Sequence, residues 1–298
     1  MKKREADKMT LEQYMRELWL MDKQYGQEEE LYPLINMLLR DGANTENLSI
    51  RDVHKGESAK NDKSRKYIDG FGSFPDIAIF DESFPDLSDE NIVSNLQKIY
   101  GCVEAKCNEK NPKQIEVKIV AENKSEQPKQ ENYFIKRNNT KTYLHDAKGR
   151  ATVEGQLLGE LLWYGKVLYT DGLIWKYYKL SEDSRKINNK RKRYIELIDK
   201  NELPQEPFEY KTWIFEQCKA DDLKITITSE EIGNLTDIYH IYQEIKKENK
   251  EKEKFEQKWE ALKDKKGFEQ RWNDFKEKLK NIEWNEDVFT NAETKNPN

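Results

Sequence analysis

Two short apolar runs that each adjoin an acidic residue constrain the fold of this chain more than any other feature. Asp76 comes directly before residues 77–80, and residues 99–103 lead directly into Glu104 and, two positions later, Lys106. Short β-prone runs bounded by Pro, Gly and polar residues predict strands. Because side chains alternate across a strand, Glu104 and Lys106 share one face. Two carboxylates and a lysine at adjacent strand ends predict a Mg²⁺ site, since this cation prefers oxygen ligands and needs only one or two carboxylates.

A helix and a hairpin are predicted further along the chain. The leucine-rich residues 152–164 predict a helix, on which Gln156 and Glu160 are four residues apart and therefore share a face. Asp171-Gly172 follows between two apolar runs, and an Asp-Gly pair in this setting is typical of a tight β-hairpin.

Two helices are predicted ahead of the strands, at residues 10–21 and 30–40, from apolar residues at helical spacing. Glu28 and Glu30 lie at the start of the second helix. Acids there either complement the helix dipole or add an oxygen ligand to the metal site. For the second role we select Glu30, with Glu28 as the alternative. The polar residues 41–66 that follow predict a surface segment.

Further strands complete the predicted pattern. Residues 66–71 predict a strand that reaches a glycine bend before Pro75, and with the two acid-bearing strands it gives a three-stranded meander. A short helix at 90–98 would connect the second and third strands. Residues 115–120 and 193–198 predict additional strands. The order of helix, three strands, helix and strand predicts a mixed α/β (α+β) fold class.

Composition excludes several classes of protein. The 298 residues allow one large domain or two smaller ones, and the net charge of −5 gives no overall signal for nucleic acid. Three cysteines and three histidines show no metal-ligand spacing, and the sparse cysteines suit a reducing compartment. No apolar stretch approaches the length needed to cross a membrane, and the first residues are not followed by an apolar signal core. We therefore expect a cytoplasmic protein without a membrane partner.

A basic run at residues 185–193 carries six positive charges. Such a run is either a solvated face or a local phosphate-binding patch, which an acidic protein can still present. For the second alternative, Arg191, Lys192 and Arg193 are the candidate nucleic-acid contacts.

The last part of the chain changes character to long, highly charged helices. Large aromatic residues form one stripe, with Gly267 as the predicted break between two helices; these aromatics are Trp259, Phe268, Trp272 and Phe275. The stripe must bury itself against the chain's own core, a second protomer or another protein. We favour a protomer or partner contact, which divides the chain into a domain at 1–230 and a helical extension at 231–298.

The acidic motif resembles a known pattern. Pro75-Asp76 followed by Glu104-Ala105-Lys106 resembles the PD-(D/E)xK nuclease superfamily. The order of elements is most similar to the nuclease domain of type I restriction motor subunits, in which a helix with Gln and a downstream Tyr follows the E-x-K strand. In that family Gln and Tyr are commonly four residues apart. Here the fourth residue after Gln156 is Glu160.

The resemblance implies a fold and an activity. The fold is a restriction-endonuclease-like core with a C-terminal helical extension. The activity is a Mg²⁺-dependent DNA endonuclease, with Mn²⁺ as a substitute, in restriction or antiphage defence. Asp76, Glu104 and Glu30 would bind metal, Lys106 would orient or deprotonate water, and Gln156 would assist positioning. The resemblance also extends to defence nucleases that cyclic oligonucleotides switch on. The alternative is a catalytically silent module that binds nucleic acid or a partner protein.

Overall fold

The computed structural model describes residues 9–24, 26–42, 48–54, 62–71, 74–86, 88, 91–106, 116–117, 119–121, 133–137, 140–143, 151–181, 184–203, 213–218, 225–249 and 251–289. Its helices, in chain order, are α1 (Leu11–Gln24), α2 (Leu31–Gly42), α3 (Asp62–Ile68), α4 (Ile92–Gln97), α5 (Val153–Tyr164), α6 (Ser184–Asp199), α7 (213–218), α8 (Thr236–Glu248), α9 (Lys252–Lys265) and α10 (Phe268–Lys280). Its strands are β1 (Leu48–Asp52), β2 (Ile77–Asp81), β3 (Ile99–Ala105), β4 (Glu116–Val117), β5 (Ile119–Ala121), β6 (Tyr133–Arg137), β7 (Thr140–Tyr143), β8 (Lys166–Thr170), β9 (Ile174–Ser181) and β10 (Ile225–Asn234).

A mixed, mostly antiparallel sheet forms the centre of the fold. Its strand order is β1-β2-β3-β8-β9-β10, and the two-residue strand β4 extends it beyond β10. Strands β5, β6 and β7 form a separate antiparallel sheet. In the main sheet β3 and β8 run parallel, and α5 is the last element of the connection between them. Two parallel strands need a long crossover connection, because the chain must return to the starting edge of the sheet before the second strand begins. The mixed α/β class predicted from the sequence is confirmed.

The three-stranded meander is present, but its first strand was predicted at the wrong place. Strand β1, from Leu48 to Asp52, pairs antiparallel with β2, and β2 pairs antiparallel with β3. Residues 66–71 lie in α3 and the turn after it. Tyr67 and Phe71 are four residues apart and both are buried. A spacing of four places two side chains on one face of a helix and also on one face of a strand, so this pattern does not distinguish the two.

The predicted helix at residues 152–164 and the predicted Asp-Gly hairpin after it are confirmed by α5 and by the β8–β9 pair. The Thr152 hydroxyl accepts a hydrogen bond of 3.1 Å from the Gly155 amide and caps the first turn of α5. Gly165 ends the helix at a φ of 76°, and the hairpin between β8 and β9 turns at Gly172 with a φ of 85°. Both angles lie in the left-handed region that glycine adopts without a steric cost.

Helix α6 replaces the strand that was predicted at residues 193–198. Ile187, Arg191, Tyr194 and Ile195 are all buried. Their separations of four, three and one residues place them on one helical face. A short apolar run inside a polar helix has the same local pattern as a strand. The helix is recognised only when buried positions over the whole of residues 187–195 are compared.

The N-terminal helices cover one face of the main sheet. A capping box begins α1, since the Gln13 amide donates to the Thr10 hydroxyl at 3.2 Å and the Thr10 amide donates to the Gln13 side chain at 2.8 Å. The Tyr14 hydroxyl, which is buried, donates to the Gly172 carbonyl oxygen at 2.6 Å. This bond fixes α1 against the turn of the β8–β9 hairpin.

The C-terminal helices share that core. Gly267 separates α9 from α10 as predicted, and the aromatic stripe is buried, with Trp259, Phe268, Trp272 and Phe275 each exposed by 2% or less. The Trp272 ring lies 5.2 Å from the Tyr14 ring, and the Phe275 ring lies 5.3 Å from the Trp175 ring. Packing against the chain's own core is therefore the alternative that the structure shows. The predicted division at residue 230 falls inside β10 and does not separate two cores.

A segment at residues 281–289 closes the end of the sheet where β8 begins. The buried Lys166 ammonium donates to the carbonyl oxygens of Glu283 at 2.7 Å, Trp284 at 2.9 Å and Glu286. Trp284 packs so close to β3 that a Cβ added at Gly101 would lie 2.5 Å from its ring. Within the part of the chain that the structure describes, no helix is long and apolar enough to cross a membrane.

We expect Trp272→Ala to lower the free energy of unfolding by about 3–5 kcal/mol, because it removes a buried indole and leaves a cavity between α10 and α1. Asn273→Ala is the matched control, since Asn273 is exposed on the same helix; we expect it to change stability by less than about 0.5 kcal/mol. Urea unfolding followed by circular dichroism measures both. Equal stability of the two variants would show that α10 packs elsewhere.

Candidate functional site

The register of two strands brings the sequence motif together. Ile77 pairs with Val103 in the antiparallel ladder of β2 and β3, so Asp76 lies opposite Glu104. Lys106 follows directly after β3, where its amide donates to the Thr170 carbonyl oxygen at 2.8 Å. The three side chains predicted from the sequence therefore meet at one end of the sheet. It is the end opposite the segment that Lys166 holds.

The Asp76 carboxylate is held from two sides. The Tyr32 hydroxyl donates to Oδ1 at 2.6 Å and the Ala105 amide donates to Oδ2 at 2.7 Å. Burial raises the pKa of Asp76, although these hydrogen bonds and the Lys106 charge act in the opposite direction. Tyr32 thus connects the first turn of α2 to the start of β2. Sequence reasoning missed this residue, because nothing in its local pattern separates it from the other apolar positions of α2.

Lys106 makes ion pairs with two carboxylates. Its ammonium contacts Glu104 directly and lies 3.5 Å from Glu28 Oε1. Burial alone would lower the pKa of Lys106, but the charges of Glu104, Asp76 and Glu28 outweigh it and raise this pKa. The lysine therefore stays charged across the physiological range and is fixed in position.

Of the two upstream acids, the structure brings Glu28 to the site. Glu28 pairs with Lys106, whereas Glu30 Oε2 accepts a hydrogen bond of 3.2 Å from the Gln27 amide and so caps the turn that leads into α2. The helical phase of the sequence gives Glu28 and Glu30 equivalent places and does not decide between them. The geometry of the turn at Glu28–Glu30, which sequence spacing does not encode, favours the alternative.

Gln156 reaches the site through Glu160. Its side-chain amide donates to Glu160 Oε1 at 3.2 Å, one helical turn further along α5. Glu160 is only 1% exposed and stands within hydrogen-bonding reach of Glu104. The sequence did hold a signal for this missed residue, namely a single acid at a core position of a leucine-rich helix.

Burial and mutual repulsion shape the titration of the two glutamates. Burial is the largest influence on Glu104 and, with the nearby charges of Glu160 and Asp76, raises its pKa well above the usual range. Burial also raises the pKa of Glu160, to about 7. Like charges at close range in a dry environment favour the protonated form of one partner. Without another cation, the pair therefore retains a proton at pH values where exposed glutamates are ionised.

The oxygen atoms of the site suit a small divalent cation. No amide or hydroxyl group of the described residues donates a hydrogen bond to either carboxylate oxygen of Glu104 or to Glu160 Oε2. In the part of the chain that the structure covers, no three His, Cys, Asp or Glu side chains are arranged to hold one metal ion. Mg²⁺ keeps several waters and needs only one or two carboxylates. The donor set fits that ion and not a closed all-protein cage.

Of the three candidate contacts in the basic run, two lie on the surface and one is buried. Arg191 is fully buried, with its guanidinium 4.1 Å from the centre of the Phe289 ring, so it does not lie on the surface as the run predicted. Lys192 and Arg193 are about half exposed, and both lie near Glu196, at 3.9 Å and 3.6 Å. Only these last two are placed where a phosphate group could approach.

Comparisons with protein-family models, with curated proteins and with solved structures found no match to this chain.

We expect Glu160→Gln to remove part of the pH dependence of stability in the metal-free protein. The folded state binds a proton at Glu160 with a pKa of about 7, against 4.5 for an unperturbed glutamate. Between those values the folded state holds more protons than the unfolded state, so the free energy of unfolding falls as pH rises. Full ionisation of Glu160 lowers the free energy of unfolding of the wild type by about 3 kcal/mol. The glutamine variant has no carboxyl group at this position and does not show this decrease.

Urea unfolding in EDTA at pH 5 and pH 8 measures this difference. The control is Glu82→Gln, which changes an exposed acid in the turn after β2 and keeps the wild-type pH dependence. An equal loss of stability in Glu160→Gln and the wild type would contradict the placement of Glu160.

Proposed function

We propose that this chain is a Mg²⁺-dependent nuclease of the PD-(D/E)xK type that hydrolyses phosphodiester bonds in DNA. The observation that carries the proposal is the meeting of Asp76, Glu104 and Lys106 at one end of the sheet. These residues come from two different strands, and their register makes neighbours of residues 28 positions apart. The same three residues form the sequence motif on which the resemblance depends.

Each residue has a defined role in this proposal. Asp76 and Glu104 hold the cation, and the Tyr32 and Ala105 hydrogen bonds keep Asp76 in one orientation. A bound Mg²⁺ polarises the phosphate group and lowers the pKa of a water molecule. Lys106, held charged by its carboxylate neighbours, orients that water and stabilises negative charge that develops on the phosphate. Glu28 fixes Lys106 on its other side.

The arrangement of elements supports the same proposal. Helix α2, the β1–β2–β3 meander, helix α5 and strand β8 follow one another in the order that the resemblance implies for a restriction-endonuclease-like core. The acids lie on the second and third strands of the meander, as expected for that core. The biological setting that accompanies the proposal is restriction or antiphage defence in the cytoplasm.

We expect Asp76→Asn, Glu104→Gln and Lys106→Ala each to lower the rate of plasmid cleavage by at least about 100-fold, because each removes a charge that acts on the reacting phosphate or its cation. Glu82→Gln, which changes an exposed acid after β2, should retain full activity. Circular dichroism checks that all variants are folded. Cleavage at the wild-type rate by a folded Glu104→Gln variant would contradict the assignment of Glu104 to the nuclease site. A wild type that binds plasmid without cutting it would favour the silent module.

We expect cleavage with Mg²⁺ or Mn²⁺ and none with Ca²⁺, which binds oxygen ligands in a larger and more flexible coordination sphere. The measurement is supercoiled plasmid, single-stranded DNA and RNA incubated with each cation. Cleavage that persists in excess EDTA would rule out a metal-dependent reaction.

Lys192 and Arg193 are the remaining candidates for phosphate contacts. We expect the double variant Lys192→Gln, Arg193→Gln to reduce the slope of log affinity against log salt by about one unit for each lost contact. The matched control replaces Lys252 and Lys254, which are exposed on α9, with glutamine. Fluorescence anisotropy with labelled duplex DNA measures both slopes. Identical slopes for the two double variants would assign the basic run to a solvated face.

A further inference from the structure

Glu160 occupies a position where a carboxylate is costly. It lies in the middle of α5, between the fully buried Gly159 and Leu161, and is itself 1% exposed. Taking an ionised carboxylate out of water costs several kcal/mol unless partners replace the lost hydration. A leucine would satisfy the packing of this helix, so the carboxylate has a reason other than packing.

The hydrogen bonds of Glu160 are only half complete. Gln156 donates to Oε1, while Oε2 accepts no hydrogen bond from an amide or hydroxyl group of the described residues. Oε2 of the equally buried Glu104 is in the same state, whereas its Oε1 contacts the Lys106 ammonium. The two carboxyl groups lie within hydrogen-bonding reach of each other, so two buried carboxylate oxygens lack a donor.

The charges around these oxygens do not balance. Among the described residues, Lys106 is the cation that acts on Asp76, Glu104 and Glu160 together, and it is also shared with Glu28. One ammonium cannot neutralise four carboxylates. A divalent cation held by Glu104 and Glu160 would supply the missing charge, as hard cations do for carboxylates.

We propose that Glu160 binds the divalent cation together with Glu104, and that Gln156 positions Glu160 by donating to its other oxygen. The inference rests on the proposed function and gives the cation the ligand pair Glu104 and Glu160 in place of Asp76 and Glu104, since no three acids among the described residues are arranged to hold one ion. Glu160 stands at the position where the resembling family commonly has tyrosine. It also explains the presence of Gln156, which contacts the site only through Glu160. The competing explanation is that Glu104 and Glu160 form a purely structural pair joined by a shared proton.

Binding of Mn²⁺ to the full chain at pH 8, measured by electron paramagnetic resonance of the free ion, tests this inference without any nuclease assay. We expect Glu160→Gln and Glu104→Gln each to weaken Mn²⁺ binding by at least tenfold. Gln156→Ala should weaken it by a smaller factor, and Glu82→Gln should leave it unchanged. Glu160→Asp, which keeps the charge on a shorter side chain, should bind with intermediate affinity and guards against a glutamine variant that fails to fold.

Thermal melting of the same proteins distinguishes a ligand from a structural pair. For the cation ligand we expect Mn²⁺ to raise the melting temperature of the wild type but not of Glu160→Gln. In EDTA the Glu160→Gln variant should melt no lower than the wild type, because it has lost a buried charge. A variant that melts lower in EDTA and keeps its Mn²⁺ affinity would establish the structural pair.

The two proposals fail in different ways. If Glu104→Gln weakens Mn²⁺ binding and both Glu160 variants bind like the wild type, the role of Glu160 is wrong while the proposed nuclease site stands. If the wild type neither binds Mn²⁺ nor gains stability from it, the metal site itself is wrong and both proposals fall.

Discussion

The Asp76 carboxylate is the junction on which the candidate site depends. One of its oxygens accepts a hydrogen bond from α2 through Tyr32, and the other accepts one from the backbone of β3 at Ala105. Through these two bonds a single side chain fixes α2, which follows the turn with Glu28, and the strand that carries Glu104. The ion pair between Lys106 and Glu28 then joins that turn to the end of β3. Because the bonds lie in a dry interior, each is stronger than it would be in water, and an unpaired group there is more costly.

The candidate site also buries more acidic than basic side chains. Asp76, Glu104 and Glu160 are each exposed by 7% or less, and burial raises the pKa of all three. A protein interior selected for stability alone would replace such groups with apolar residues of similar volume. Buried acids with raised pKa values are typical of binding and catalytic sites. This physical argument is independent of the resemblance in the motif.

The sequence correctly predicted the elements that begin and end at clear capping or turn residues. Helix α5, with its cap at Thr152 and its glycine stop at Gly165, and the Asp-Gly hairpin after it were located correctly. Residues 66–71 and 193–198 were predicted as strands because a short apolar run shows no clear period. The first lies in α3 and the turn after it, and the second lies in α6. The motif residues met as expected, since strand register follows from alternation. Glu160 and Tyr32 were missed, because their roles depend on contacts between residues far apart in the chain.

The hydrogen bonds of Lys166 make folding of the sheet depend on the last described segment, residues 281–289. Its ammonium group can satisfy its three carbonyl partners only after residues 283–286 have been synthesised. Trp284 belongs to the core of α1, α2 and the C-terminal helices, and Phe289 belongs to the core around α5, so the same segment completes both. A chain still on the ribosome therefore carries every acid of the candidate site well before its two cores are closed.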